Sequence, residues 1–143
     1  MKLSSDLKGF ISNNLKQDIN ALALKKNPFP DYEWSWILNQ IQAKQKAEKK
    51  LPTWFSNEDV IFPSTLSIEQ TSSETLAKFK SGLISGETLI DLTGGFGVDD
   101  FYFSKSFKKV VHCEFQEDLS AIVQHNFRAL NVDNIETISG DSI

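Results

Sequence analysis

The residues able to do chemistry gather around one glycine-rich turn. Asp91-Leu92-Thr93-Gly94-Gly95-Phe96-Gly97 joins an apolar run to a stretch with helical character. Glycines at such a junction permit positive φ and let a ligand approach the backbone closely, and the first N–H groups of the helix that follows are free to meet an anionic ligand group. Two further acids stand at comparable places. Glu114 follows the next apolar run, 23 residues after Asp91, and Asp141 closes the third in Ser139-Gly140-Asp141-Ser142. A ligand would lie outside the carboxyl ends of the strands.

Charge narrows the ligand class. A pyrophosphate-binding turn needs Gly-x-Gly-x-x-Gly, but Gly95-Phe96-Gly97 is followed by Val98, Asp99 and Asp100. The third glycine is absent, and Asp91 would repel a pyrophosphate. That carboxylate suits a ligand with a cation beside a carboxylate, such as S-adenosylmethionine, whose adenosine carries a sulfonium, an α-ammonium and a carboxylate. Glu114 could accept hydrogen bonds from both ribose hydroxyls, Phe115 could pack on the adenine, and Asp141, with Ser142 beside it, could accept from the adenine amino group. The alternatives are structural: Asp91 as a cap, Glu114 and Asp141 as solvated loop residues.

Alternating elements position these groups. Val60-Ile61-Phe62 reads as a short strand or extended piece. Ser72 or Ser73 caps a helix over about 73–83, with Leu76, Phe79, Lys80 and Leu83 along one side. Strands are expected at Thr88–Leu92 (of the buried type), Lys109–Glu114 and Ile135–Ser139, with helices over about 98–106 and 116–130 and a left-handed cap at Asn131. Strand–helix alternation implies parallel strands with right-handed crossovers. Before them, apolar residues at spacings of three and four predict a helix over 3–26. Asn27-Pro28-Phe29-Pro30 breaks it, and Asp31 caps a second helix over about 31–50. The fold class is thus α/β: the first three parallel strands of a Rossmann-like sheet after a helical region, with domains at 1–58 and 59–143.

Composition excludes several classes. The 143 residues are 40% apolar, too rich for a disordered chain. One cysteine excludes a disulfide framework and a multi-cysteine zinc site, and no metal site is expected. No apolar run approaches the roughly 20 residues of a membrane span, and residues 1–17 lack a secretory signal pattern, so a cytoplasmic location is expected. Cys113 reads as a core thiol, His112 and His125 as surface or capping residues, and Trp34, Trp36 and Trp54 as anchors, with base stacking as their functional alternative.

The Asp91–Gly97 turn, Glu114 and the passage from His125 to Asp141 together resemble class I S-adenosylmethionine-dependent methyltransferases over about 65–143. The turn follows their Asp-x-x-x-Gly-x-Gly pattern, with Thr93 in the first glycine place, a variant familiar among RNA methyltransferases. Gln42–Ala47, Lys50–Trp54, Phe62-Pro63 and Ser67–Glu74 look like bacterial methyltransferases that carry a THUMP-like C-terminal domain. The helix before the first strand is similar to that of cap trimethylguanosine synthases, which implies that Gln70, Thr71 and Ser72 line the cofactor's amino-acid end.

The resemblance also implies that catalytic residues belong beyond Ile143: such sheets have about seven strands, their substrate-facing motif follows the fourth, and the sequence has no Pro-Pro. An N-terminal, inactive part of a longer RNA methyltransferase is therefore expected. Residues 1–50 carry nine lysines against five acids, +4, while the remainder is −8, and Lys44, Lys46, Lys49 and Lys50 are the expected phosphate contacts. Self-association through the edge of the first strand is expected as well. An NAD-type dinucleotide-binding domain and a noncatalytic helical interaction module are the competing function classes.

Overall fold

The computed structural model describes residues 2–64 and 68–140. Two compact units divide the chain between Glu69 and Gln70.

The first unit is helical, and its first helix ends much earlier than periodicity suggests. Instead of one helix over 3–26 there are two: α1 (Ser5–Asn13) and α2 (Ile19–Ala23). Asn13 and Asn14 are weak helix formers because their amides compete for backbone groups. The Asn14 amide donates to the Phe10 carbonyl at 2.7 Å, and Gln45 Nε2 donates to the carbonyls of Leu15 and Gln17 at 3.1 and 2.8 Å, which holds the chain out of helix. The apolar spacing survives the break, since Leu7, Ile11 and Leu22 are all buried.

α3 (Trp34–Lys50) is packed by α1, α2 and the short α4 (Pro52–Phe55). Ile37, Ile41, Ala47, Leu51 and Trp54 form its core. The change of character near Asp59 does not end this unit. Val60, Ile61 and Phe62 are buried and extended without joining a sheet. Gln40 clamps the backbone of Phe62, donating to its carbonyl at 2.7 Å and accepting from its N–H at 2.9 Å.

The second unit holds a three-stranded parallel sheet in the order β1 (Gly86–Asp91), β2 (Phe107–Glu114), β3 (Ile135–Ser139). α5 (Glu74–Leu83) precedes it, capped by Ser73, whose hydroxyl accepts the Leu76 N–H at 3.1 Å. α6 (Val98–Phe103) links β1 to β2, and α7 (Glu117–Ala129) links β2 to β3. Asn131 sits at φ 60°, the left-handed geometry expected after α7. In register, Asp91, His112 and Thr137 share one face of the sheet, and Ile90, Val111 and Glu136 share the other.

One expectation about burial fails here. β1 was expected to be enclosed, yet Ile90 is 60% exposed, because β1 is the edge strand among the described residues. α5 packs against α6 through the side bearing Glu74 and Ala77, so the larger residues Leu76, Phe79 and Leu83 face solvent, Phe79 at 65% and Leu83 at 66%.

Candidate functional site

The glycine turn is built as much from below as from above. Asp91 Oδ1 accepts the Thr93 N–H at 3.0 Å, which turns the chain out of β1. The Gly94 N–H donates to the Cys113 carbonyl at 2.8 Å and ties the turn to β2. Gly95 and Gly97 have φ of +56° and +91°. A Cβ on Gly94 would lie 2.4 Å from the His112 ring, and one on Gly97 would lie 2.6 Å from Phe127. Two of the three glycines are therefore required by what packs beneath them. On Gly95 a Cβ would meet nothing nearer than the Thr93 carbonyl at 3.9 Å, so its outer side is open to a ligand.

His112, expected as a surface or capping residue, is fully buried under this turn. Its Nε2 lies 2.9 Å from the Gly95 carbonyl, and its ring meets Phe127 edge-on at 5.8 Å. The reason is register: His112 points to the face of the sheet that α7 covers. Cys113 is buried, as a core thiol should be, and Trp54 is a buried anchor.

The other expected site residues are distributed unevenly. Glu114 closes β2 beside the turn, where Oε1 accepts the Gly95 N–H at 3.1 Å and Oε2 the Gln116 N–H at 2.8 Å. A carboxylate has about four acceptor positions, so this one braces the turn and keeps capacity for ligand hydroxyls. Phe115 is 73% exposed, free to cover a flat ring. Thr93 is exposed. Gln70 is exposed and Thr71 half-buried, while the Ser72 hydroxyl donates to Asp99 at 3.2 Å and accepts from Lys80 at 3.4 Å. Ser72 thus belongs to a Ser72–Asp99–Lys80 cluster, with Lys80 Nζ 3.0 Å from Asp99. Asp141 and Ser142 lie outside the described residues.

The sequence reading did not single out Asp100. It stands on α6 at the place of the missing third glycine and is completely buried. Neither carboxyl oxygen has a hydrogen-bond partner of ordinary geometry. Burial first, then a side-chain hydrogen-bond interaction with Asp91 and the charges of Asp91 and Asp99, push its pKa up from the usual 3.8 to about 9. Spacing alone pointed to it: three residues after Gly97 a dinucleotide turn has glycine, and a carboxyl group there needs a reason.

The expected phosphate-binding lysines are mostly engaged inside the first unit. Lys44 is buried. Lys50 donates to the carbonyls of Ile68 and Glu69 at 2.8 and 2.7 Å, and Lys46 lies 3.5 Å from Glu69. Lys49 is exposed. No helix among the described residues is long and apolar enough to cross a membrane.

The open backbone of Gly95, the strand-end acid Glu114 and the acid pair Asp91–Asp100, which no cation neutralises among the described residues, have the chemistry to hold the adenosine and the cationic amino-acid end of S-adenosylmethionine. α6 has only six residues and acids at its second and third positions, so an anionic ligand group finds no welcome at its start. No family model and no curated protein matches the sequence. Among solved structures, one from Porphyromonas gingivalis W83, named for an inferred methyltransferase activity, is 24% identical with a TM-score of 0.77 over 99% of this chain. An rRNA methylase from Streptococcus thermophilus (23% identity, TM-score 0.39, 45% of this chain and 39% of that one) and a protein-L-isoaspartate O-methyltransferase (18%, TM-score 0.40, 95% and 41%) are also similar, at scores too low to carry an argument. The chain spans 37% of the length of the Porphyromonas protein and shares its fold, an α/β architecture of parallel strands and helices.

Proposed function

We propose that residues 70–143 form the S-adenosylmethionine-binding part of a methyltransferase. The observation that carries this is the placement of acids around the turn. Asp91 and the buried Asp100 stand where a dinucleotide would bring phosphate, and Glu114 sits at the end of the adjacent strand. The Asp91 carboxylate at such a site repels pyrophosphate and attracts a cation, which disfavours the NAD-type alternative. When bound, the cofactor supplies an electrophilic methyl group on its sulfonium. The chain's own part is to hold it: Gly95 offers open backbone, Glu114 offers acceptors for hydroxyls, and Phe115 offers a ring face. Positioning of this kind is the main contribution a protein makes to such a transfer.

Methyl transfer to RNA is the substrate class we assign, supported by the basic first fifty residues. Of Lys44, Lys46, Lys49 and Lys50, Lys46 and Lys49 are the two that are exposed for phosphate contact. We expect the 143-residue chain alone to bind cofactor without turnover, because a Pro-Pro substrate motif is absent from its sequence. Calorimetric titration with S-adenosylmethionine, S-adenosylhomocysteine and NAD tests the assignment. Asp91→Ala and Glu114→Ala should each weaken S-adenosylhomocysteine binding by about 1.5–3 kcal/mol, the usual loss for a hydrogen bond to a charged group. Parental affinity in both variants, or preference for NAD, would overturn it.

A further inference from the structure

Asp100 shares its buried place with another acid, Asp91, through a side-chain hydrogen-bond interaction. It is fully buried, neither oxygen is hydrogen-bonded in ordinary geometry, and every charged group acting on it is anionic. Around it stand Asp91 at the end of β1 and Asp99 on its own helix, with Lys80 of α5 committed to Asp99 at 3.0 Å. Glu74 of α5 accepts from the Tyr102 hydroxyl at 2.6 Å, and His112 of β2 is turned to the Gly95 carbonyl. Glu114 is occupied by backbone N–H groups. Among the described residues no Lys, Arg or His is ion-paired or hydrogen-bonded to Asp100.

We propose that Asp100 is a specificity residue for the ligand's cationic end: it holds a proton in the free protein and yields it when an ammonium group pairs with Asp91. This inference rests on the cofactor assignment above. Two adjacent carboxyl groups in a poorly solvated place cannot both ionise without a counter-charge. A proton serves first, and the ligand's ammonium can replace it. The Asp100 O–H bond breaks, the proton passes to buffer, and the new negative charge on the pair balances the positive charge that has arrived. Its apparent pKa near 9 in the free protein agrees with the proton being held there. A ligand without the ammonium leaves the proton in place, so the pair distinguishes an aminoacyl-bearing adenosine from a bare thioadenosine.

Calorimetry in buffers of different ionisation enthalpy, between pH 7 and 9, counts the protons released. S-adenosylhomocysteine should release a fraction of a proton more from the parent chain than from Asp100→Asn, and the common ligand cancels its own ionisation. 5′-Methylthioadenosine should show no such difference. In the parent chain alone, the Asp100 side-chain carboxyl resonance should titrate about 1 pH unit or more lower when S-adenosylhomocysteine saturates the site, the usual effect of an opposite charge nearby. Tight binding with equal proton release in both proteins, or an unmoved resonance, overturns this inference and leaves the cofactor assignment standing. Absence of binding overturns both.

Discussion

Gly94→Ala tests the claim that the turn is shaped from beneath. The new Cβ would stand 2.4 Å from Cδ2 and Nε2 of His112 and 2.7 Å from Cε1. Neither side can yield easily. The ring is fully buried, packed edge-on against Phe127 and bonded to the Gly95 carbonyl, while the Gly94 backbone is tied to β2 through Cys113. Overpacking of a tight core costs about 1–3 kcal/mol, and losing the His112 hydrogen bond adds about 1 kcal/mol. We expect a loss of about 3 kcal/mol. His112→Ala removes the obstacle, so the double variant should be more stable than the sum of the single effects predicts, by more than the ~0.5 kcal/mol within which independent sites add. All three tryptophans lie in the first unit, so urea unfolding should be followed by circular dichroism and by exchange of the β2 amides. Simple additivity would show that the ring does not fill the space under Gly94.

Three further outcomes are expected. Asp100 keeps its proton in the folded state up to about pH 9 but loses it near 3.8 once unfolded, so the unfolded state binds fewer protons in that window and stability falls as pH rises through it. At about 1.4 kcal/mol per pH unit, the penalty at neutral pH has an upper bound of about 4 kcal/mol. Asp100→Asn should flatten urea midpoints measured at pH 5, 7 and 9, and an unchanged slope would contradict the buried acid. Lys44 has its pKa lowered, chiefly by burial and against the pull of Glu58 and Asp59; the unfolded state then binds more protons just below pH 10.5, stability rises with pH there, and Lys44→Met should raise the melting temperature near neutrality. Finally, the edge strand β1, with Ile90 exposed and with Phe79 and Leu83 of α5 exposed as well, should drive concentration-dependent self-association; sedimentation showing monomer at all concentrations would refute this.

Much of the second unit could be read from local chemistry. Strand and helix alternate where β-branched runs and capping serines say they should, and the Ser73 cap and the left-handed Asn131 are short-range events that a sequence displays directly. What escaped reading depends on partners distant in sequence. The break between α1 and α2 is fixed by Gln45, some thirty residues on. Lys44 was read as a phosphate contact because a basic run normally lies in solvent, yet one turn of α3 carries it into the interior. The periodicity of α5 revealed an apolar side without saying whether anything covers it; in the described residues nothing does for Phe79 and Leu83.

The glycine turn shows why such a motif is ambiguous by itself. Gly94 and Gly97 answer to His112 and Phe127, and any fold that buried those rings there would demand them whatever ligand it took. The discriminating residues are the acids. In a dinucleotide turn the third glycine lets helix and strand pack closely. Here Asp100 occupies that place, buried with no cation paired to it and with another acid, Asp91, as its side-chain neighbour, at a desolvation cost that internal packing does not explain. A residue that opposes stability at neutral pH while sitting next to the open backbone of Gly95 is better accounted for by what the site must recognise than by what the core must fill. On the proposed function the acids of the turn, rather than its glycines, select the ligand class, and Asp100→Asn separates the two: a purely structural acid would leave ligand selectivity untouched, whereas a recognition acid shifts it.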